Sequence, residues 1–170
     1  AWLACVLEDN PDMPVLFVSC RKTHADDLFA ELARHLEECF GFTNYLDAKG
    51  KACSKTVYMH DAKRLIVSIQ SLDKINFSMY KGGLVVGDEI RSMMSIPGGK
   101  TLPHLPEHLG VLREICTHAK YRVFMDADVS ADGAVEAGLR IIAPKFDVLH
   151  VQLQQAALKR VMSLSFAGPK

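Results

Sequence analysis

Two neighbouring carboxylates, Asp88 and Glu89, follow directly on the apolar run 84–86 in "LVVGDEIRSM". An Asp in that place can hold a hydrated Mg²⁺ and the Glu beside it can polarise a water, the two tasks of a nucleotide-hydrolysing site. A plain solvated strand end is the alternative. A second acidic pair, Asp126 and Asp128 in "MDADV", ends another apolar run. Two hard oxygen ligands at that spacing could chelate a divalent metal bearing a nucleotide sugar, or simply cap the next helix. Ser19, Arg21 and Thr23 in "SCRKTH" stand beside an expected helix N-terminus. Hydroxyls, a guanidinium and free N–H groups there suit a phosphate, including that of a nucleic-acid backbone, with ordinary capping as the bland reading. His104 and His108 are four apart, but Pro103 and Pro106 disturb the helix that would make them joint metal ligands.

Nucleotide hydrolysis also needs a phosphate-binding loop. The segment "MSIPGGKT" (94–101) ends in Gly-Lys-Thr, yet Met94 stands where the first glycine belongs. It follows the acidic pair instead of preceding it, and "LPHLP" comes next in place of a regular helix start. We read it as a surface loop, and the chain as containing no phosphate loop.

Those side chains must be held by elements, and the sequence spells an alternation. The chain opens in a helix that Asn10, Pro11 and Pro14 end. "VLFVSC" (15–20) has strand length, and Leu28, Leu32, Leu36 and Phe40 recur at helical spacing over 23–41, with Thr23 as N-cap and Gly41 as terminator. The stretch 43–63 reads as irregular. "RLIVSIQSL" (64–72) and "LVVGDE" are further buried strands, and 107–119 is a helix with an apolar stripe at Leu109, Leu112 and Cys116. "YRVFMDADVS" (121–130) is a fourth strand, 132–143 a helix and "FDVLHVQLQ" (146–154) a fifth strand. Strands alternating with helices predict an α/β fold with a parallel sheet covered on both faces. Ligands gather beyond the carboxyl ends of such strands. Ser19-Cys20-Arg21, Gln70-Ser71, Asp88-Glu89 and Asp126-Ala127-Asp128 all stand there.

Composition sets the limits. The 170 residues are 49% hydrophobic, and 20 basic residues cancel 20 acidic ones. That suits one domain without a global field, so any nucleic-acid contact has to come from a local groove. No apolar stretch approaches the roughly 20 residues of a membrane span, and no signal peptide opens the chain. Five scattered cysteines without a CxxC pair signal neither a zinc ribbon nor a disulfide framework, and a reducing, intracellular setting is expected.

The order "VLFVSCRKTHADDL", "GFTNYLD", "RLIVSIQSLDKI", "GGLVVGDEIRSMM", "YRVFMDADVSADG" resembles the herpesvirus-type replication origin-binding proteins, which are superfamily-two helicases. The resemblance covers about residues 13–153 and implies a RecA-like domain. It implies ATP and Mg²⁺ as cofactors, with Asp88 holding Mg²⁺ through water and Glu89 activating the attacking water. Ser19, Arg21, Thr23, Gln70 and Ser71 would contact single-stranded DNA. Asp126, Asp128 and Ser130 would relay nucleotide state to that track, with Asp126 also on the cofactor side. Ile96 departs from the Gln that relatives carry near the Asp-Glu pair. In the family the phosphate loop lies one helix upstream of "VLFVSC", and this chain opens inside that helix. The expectation is therefore a partial first RecA-like domain over residues 1–170, with a second RecA-like domain, origin DNA and single strands as partners and no membrane. The implied location is nuclear or at a viral replication site. By itself such a piece would be inactive. A metal-dependent glycosyltransferase built on Asp126 and Asp128, or a catalytically silent DNA-binding module, are the competing readings.

Overall fold

The computed structural model describes residues 2–35, 41–44, 62–95, 105–126, 133–143, 147–155 and 158–166. It runs α1 (Trp2–Asp9), β1 (Val15–Ser19), α2 (Lys22–His35), β2 (Thr43–Asn44), β3 (Arg64–Ser68), two 3₁₀ segments (Ile69–Lys74 and Phe77–Tyr80) and β4 (Leu84–Asp88). Then come α3 (Ile90–Ser95), α4 (Leu105–His118), β5 (Tyr121–Asp126), α5 (Gly133–Ile142), β6 (Asp147–Gln155) and β7 (Leu158–Phe166). The sheet order is β2-β3-β1-β4-β5-β7-β6, and the first five strands are all parallel. This is the α/β architecture expected, consistent with a RecA-like fold.

Burial on both faces explains why the strands read as unbroken apolar runs. Leu16, Val18, Leu65, Val67, Val85 and Phe124 point to one side, where Leu112, Ile115 and Cys116 of α4 and Val135, Leu139 and Ile142 of α5 cover them. Val15, Phe17, Ile66, Leu84, Val86 and Val123 point to the other, under Leu3 and Leu7 of α1 and the apolar face of α2. Each such aliphatic side chain removed from water contributes about 1.5–3 kcal/mol. Two buried cations fasten the ends. The Arg122 guanidinium on β5 donates to the carbonyls of Cys116 and Ala119, closing the C-terminus of α4, and Arg64 donates to the Pro11 carbonyl.

Several local expectations change. Helix α2 begins at Lys22, so Thr23 lies within its first turn and is not its N-cap. Thr43–Asn44 adds a short parallel strand inside the stretch read as irregular. A six-residue helix, α3, follows the acidic pair directly, and it includes Met94 and Ser95 of the segment read as a surface loop. Residues 96–101 of that segment lie outside the described residues, as do Leu36, Phe40 and His104. The fifth apolar run does not join the parallel ladder. Strand β6 pairs antiparallel with β7, and β7 pairs antiparallel with β5. The strand at 158–166 had a sequence signal, the alternation Met162-Ser163-Leu164-Ser165-Phe166.

Candidate functional site

Strand register brings the chemistry to one edge. Ser19 is level with Ser68 on one side and with Asp88 on the other, and Asp88 is level with Met125. The last residues of β3, β1 and β4 therefore form a row with Met125, and Glu89 and Asp126 stand one step beyond it. Ser19, Asp88, Glu89 and Asp126 share the carboxyl edge, as expected from the strand ends.

Within that row each group is held differently. Asp88 Oδ1 accepts the backbone N–H of Glu89 at 3.1 Å, and its Oδ2 lies 3.5 Å from His24 Nε2. The Asp88 side chain keeps 21% of its surface exposed, enough to face a hydrated ion. Glu89 has a φ of +58°, a left-handed conformation that costs a non-glycine residue about 1 kcal/mol or more. Its Oε2 accepts from the Ser92 hydroxyl at 3.1 Å, so the carboxylate is turned back toward the first turn of α3. Asp126, 7% exposed, accepts the Arg91 backbone N–H on Oδ2 at 2.7 Å. This fixes a free N–H of the α3 N-terminus from a neighbouring strand, the work of an N-cap done across the sheet.

The strand-contact candidates divide into two sets. Arg21 is exposed in the β1–α2 turn, Thr23 is exposed in the first turn of α2, and Gln70 is half-buried in the first 3₁₀ segment. Ser19 and Ser71, expected to touch a strand directly, are fully buried. The Ser19 hydroxyl donates to the Arg21 carbonyl at 3.0 Å and thereby shapes the turn, while the Ser71 hydroxyl lies 3.5 Å from that of Ser68. Both hydroxyls face neighbouring protein atoms, that of Ser19 a backbone carbonyl and that of Ser71 another side chain. Asp128 and Ser130 lie outside the described residues.

Sequence reasoning gave no role to His24 or Ser92. His24 is in the quoted "SCRKTH", one turn beyond the β1 end, and its Nδ1 stands 3.6 Å from Cys20 Sγ. The Cys20 thiol is pushed up by burial first, and further by the neighbouring Glu89 and Asp88 carboxylates, with Arg21 opposing. Among the described residues no group of three His, Cys, Asp or Glu side chains could hold a metal ion directly, and no helix is long and apolar enough to cross a membrane. His108, the second of the two histidines set aside as metal ligands, is buried on α4. The donors at the edge, the part-exposed Asp88 carboxylate and that of Glu89 beside it, are hard oxygens of the type a hydrated Mg²⁺ takes.

Comparison with known proteins gives the chain's family. The chain is 28% identical over 130 residues to the replication origin-binding protein of Gallid herpesvirus 2 (strain Chicken/Md5/ATCC VR-987). That match covers 76% of this chain and 15% of the relative, so the chain spans only a small part of the relative's length. No solved structure gives a significant match. The family model described as "Origin of replication binding protein" matches residues 1–137, which include β1 through β5 and every described candidate residue above. The chain belongs to the origin of replication binding protein family.

Proposed function

We propose that the chain serves origin-dependent DNA replication as part of an ATP-driven superfamily-two helicase, supplying the Asp-Glu motif and part of the single-strand track. The observation that carries this reading is the shared edge. Asp88 and Glu89 stand one strand away from exposed Arg21 in the β1–α2 turn and Thr23 at the start of α2, in a fold whose parallel strands put ligands there. Asp88 would hold the Mg²⁺ of ATP through water. Bound Mg-ATP supplies the phosphoryl group and the charge neutralisation that hydrolysis needs. Glu89, one residue beyond, orients a water with its carboxylate, and Ser92 holds that carboxylate in place. Asp126 ties the β5 end to the helix that starts at the acidic pair, which suits a relay between nucleotide state and the DNA track. Arg21 and Thr23 would meet backbone phosphates, and Gln70 would line the same path. The phosphate-loop lysine and the second RecA-like domain of this reading would come from the rest of the protein.

The Asp126 contact also weighs against the glycosyltransferase reading. Asp126 is buried and its Oδ2 serves a helix N–H, whereas Asp88 is part-exposed. The test is Glu89→Gln in the full-length protein bearing this sequence. Single-strand-stimulated ATP turnover should fall by at least about 100-fold, the lower end of what one general base contributes, while ATP binding persists. Turnover unaffected by Glu89→Gln would remove Glu89 from the reaction.

A further inference from the structure

His24 neither activates water nor faces a phosphate in the reading above, yet it stands between the groups that do. It lies in the first turn of α2, beside exposed Arg21 and Thr23, and its Nε2 is 3.5 Å from Asp88 Oδ2 on β4. We propose that His24 is a positioning residue that couples strand contact to nucleotide handling, by tying the β1–α2 turn to the Asp88 carboxylate. This rests on the helicase reading above and names the physical link inside it.

A carboxylate rotates easily about its last torsion, so one contact leaves its plane free. Oδ1 of Asp88 accepts the Glu89 N–H, and His24 Nε2 stands 3.5 Å from Oδ2, placed to steady it. The imidazole is itself held from behind. Cys20 is 4% exposed, and its thiol faces Nδ1 at 3.6 Å. One ring nitrogen thus meets the thiol and the other the carboxylate, so the imidazole is held from both sides. Cys20, His24 and Asp88 thus connect the end of β1, the start of α2 and the end of β4. A nucleophilic Cys-His-Asp triad does not fit the same three residues, because the thiol is buried and its ionisation is opposed. A chelate does not fit either, since the two ring nitrogens point to opposite sides.

If α2 shifts when a strand engages Arg21, the imidazole carries the shift to Asp88. Thermodynamic linkage makes the effect reciprocal, so Mg-ATP should change strand affinity by the factor with which the strand changes Mg-ATP affinity. The experiment measures binding of a labelled oligothymidine to the full-length protein with and without a non-hydrolysable Mg-ATP analogue. Wild type should show a ratio of about 5-fold or more, in the usual range for coupled sites. His24→Ala should bring the ratio to within about 2-fold of unity. His24→Gln, whose amide nitrogen reaches as far as Nε2, should keep most of it. His24→Asn, polar but too short, should lose it, so the Asn–Gln pair decides the matter even if the alanine variant unfolds. A wild-type ratio in His24→Ala or His24→Asn, or a ratio of one in wild type with both ligands bound, overturns the coupling role and leaves the helicase reading standing. A wild-type protein that binds neither ligand overturns that reading, and this inference with it.

Discussion

The Asp126 carboxylate at the end of β5 accepts the backbone N–H of Arg91, two residues into α3, at 2.7 Å. Two strand ends are thereby locked through a helix terminus, and the short α3 is held in place immediately after Glu89. A six-residue helix has little stability of its own, because nucleation is costly, so its position depends on such contacts.

Replacing that acceptor should therefore be felt. Asp126→Ala should destabilise the fold by about 1–2 kcal/mol, the range for a lost cap or an unmet buried donor. Asp126→Asn should cost less, since its amide oxygen still accepts. Urea midpoints at constant m-value would show the order, and equal midpoints for all three proteins would deny Asp126 its capping role.

Glu89 should reverse an ordinary preference. Glycine usually weakens a chain relative to alanine, but at a φ of +58° it escapes the steric penalty that alanine keeps. Glu89→Gly should be more stable than Glu89→Ala by about 1 kcal/mol, read from thermal or urea unfolding. An alanine variant equal to or better than glycine would mean that the backbone is not held left-handed.

Gly87 precedes the acidic pair for a packing reason. A Cβ there would come within 2.7 Å of the Phe124 ring, closer than real contacts allow. Gly87→Ala should cost about 1–3 kcal/mol, as overpacking does. Adding Phe124→Leu, which makes room, should cost less than the sum of the two single changes in a double-mutant cycle; strict additivity would place the clash elsewhere.

Alkali should loosen the fold through Cys116. Its thiol, fully buried on α4, is pushed up by burial to about 12 from an ordinary value of 9.0. Below pH 9 both folded and unfolded thiols are protonated and this group gives stability no slope. Between about 9 and 12 the unfolded thiol ionises while the folded one does not, so the unfolded state binds fewer protons and stability falls. The slope from this group approaches about 1.4 kcal/mol per pH unit at most. Buried Tyr80, also raised by burial, adds to the decline at higher pH. Cys116→Ala should flatten the loss between pH 9 and 10.5 in urea titrations, and an unchanged slope would show that Cys116 is not its source.

Arg21 is exposed, so its contribution should be electrostatic. In the full-length protein, Arg21→Ala should lower single-strand affinity and flatten its dependence on salt by about 0.7 in log–log slope, the value for one phosphate contact. An unchanged slope would return the turn to plain helix capping.

Much of this site was legible in the sequence, for a physical reason. Strands buried on both faces print continuous apolar runs, so the places where those runs end in Ser19, Asp88 and Asp126 mark the sheet edge directly. What stayed hidden depends on relations between distant segments. No local pattern says that the Asp126 carboxylate will serve the N–H of Arg91, or that Ser19 will turn its hydroxyl inward to Arg21. His24 was invisible as a link, because the partner that gives it meaning arrives on another strand. The hairpin of β6 and β7 was half visible: its first strand was read and its second, despite alternating residues, was not.

The sheet order has a consequence during synthesis. Strand β1 is made early but lies between β3 and β4, and the partners of Val15 are Arg64 and Leu84. Roughly 70 further residues must leave the ribosome before both neighbours exist, about 4 to 14 seconds at ordinary elongation rates. For that interval "VLFVS" is an apolar, β-prone segment with two unpaired edges. Crowded nascent chains would meet one another through that stretch, and a chaperone that shields it would raise the yield of native protein more than one acting after release.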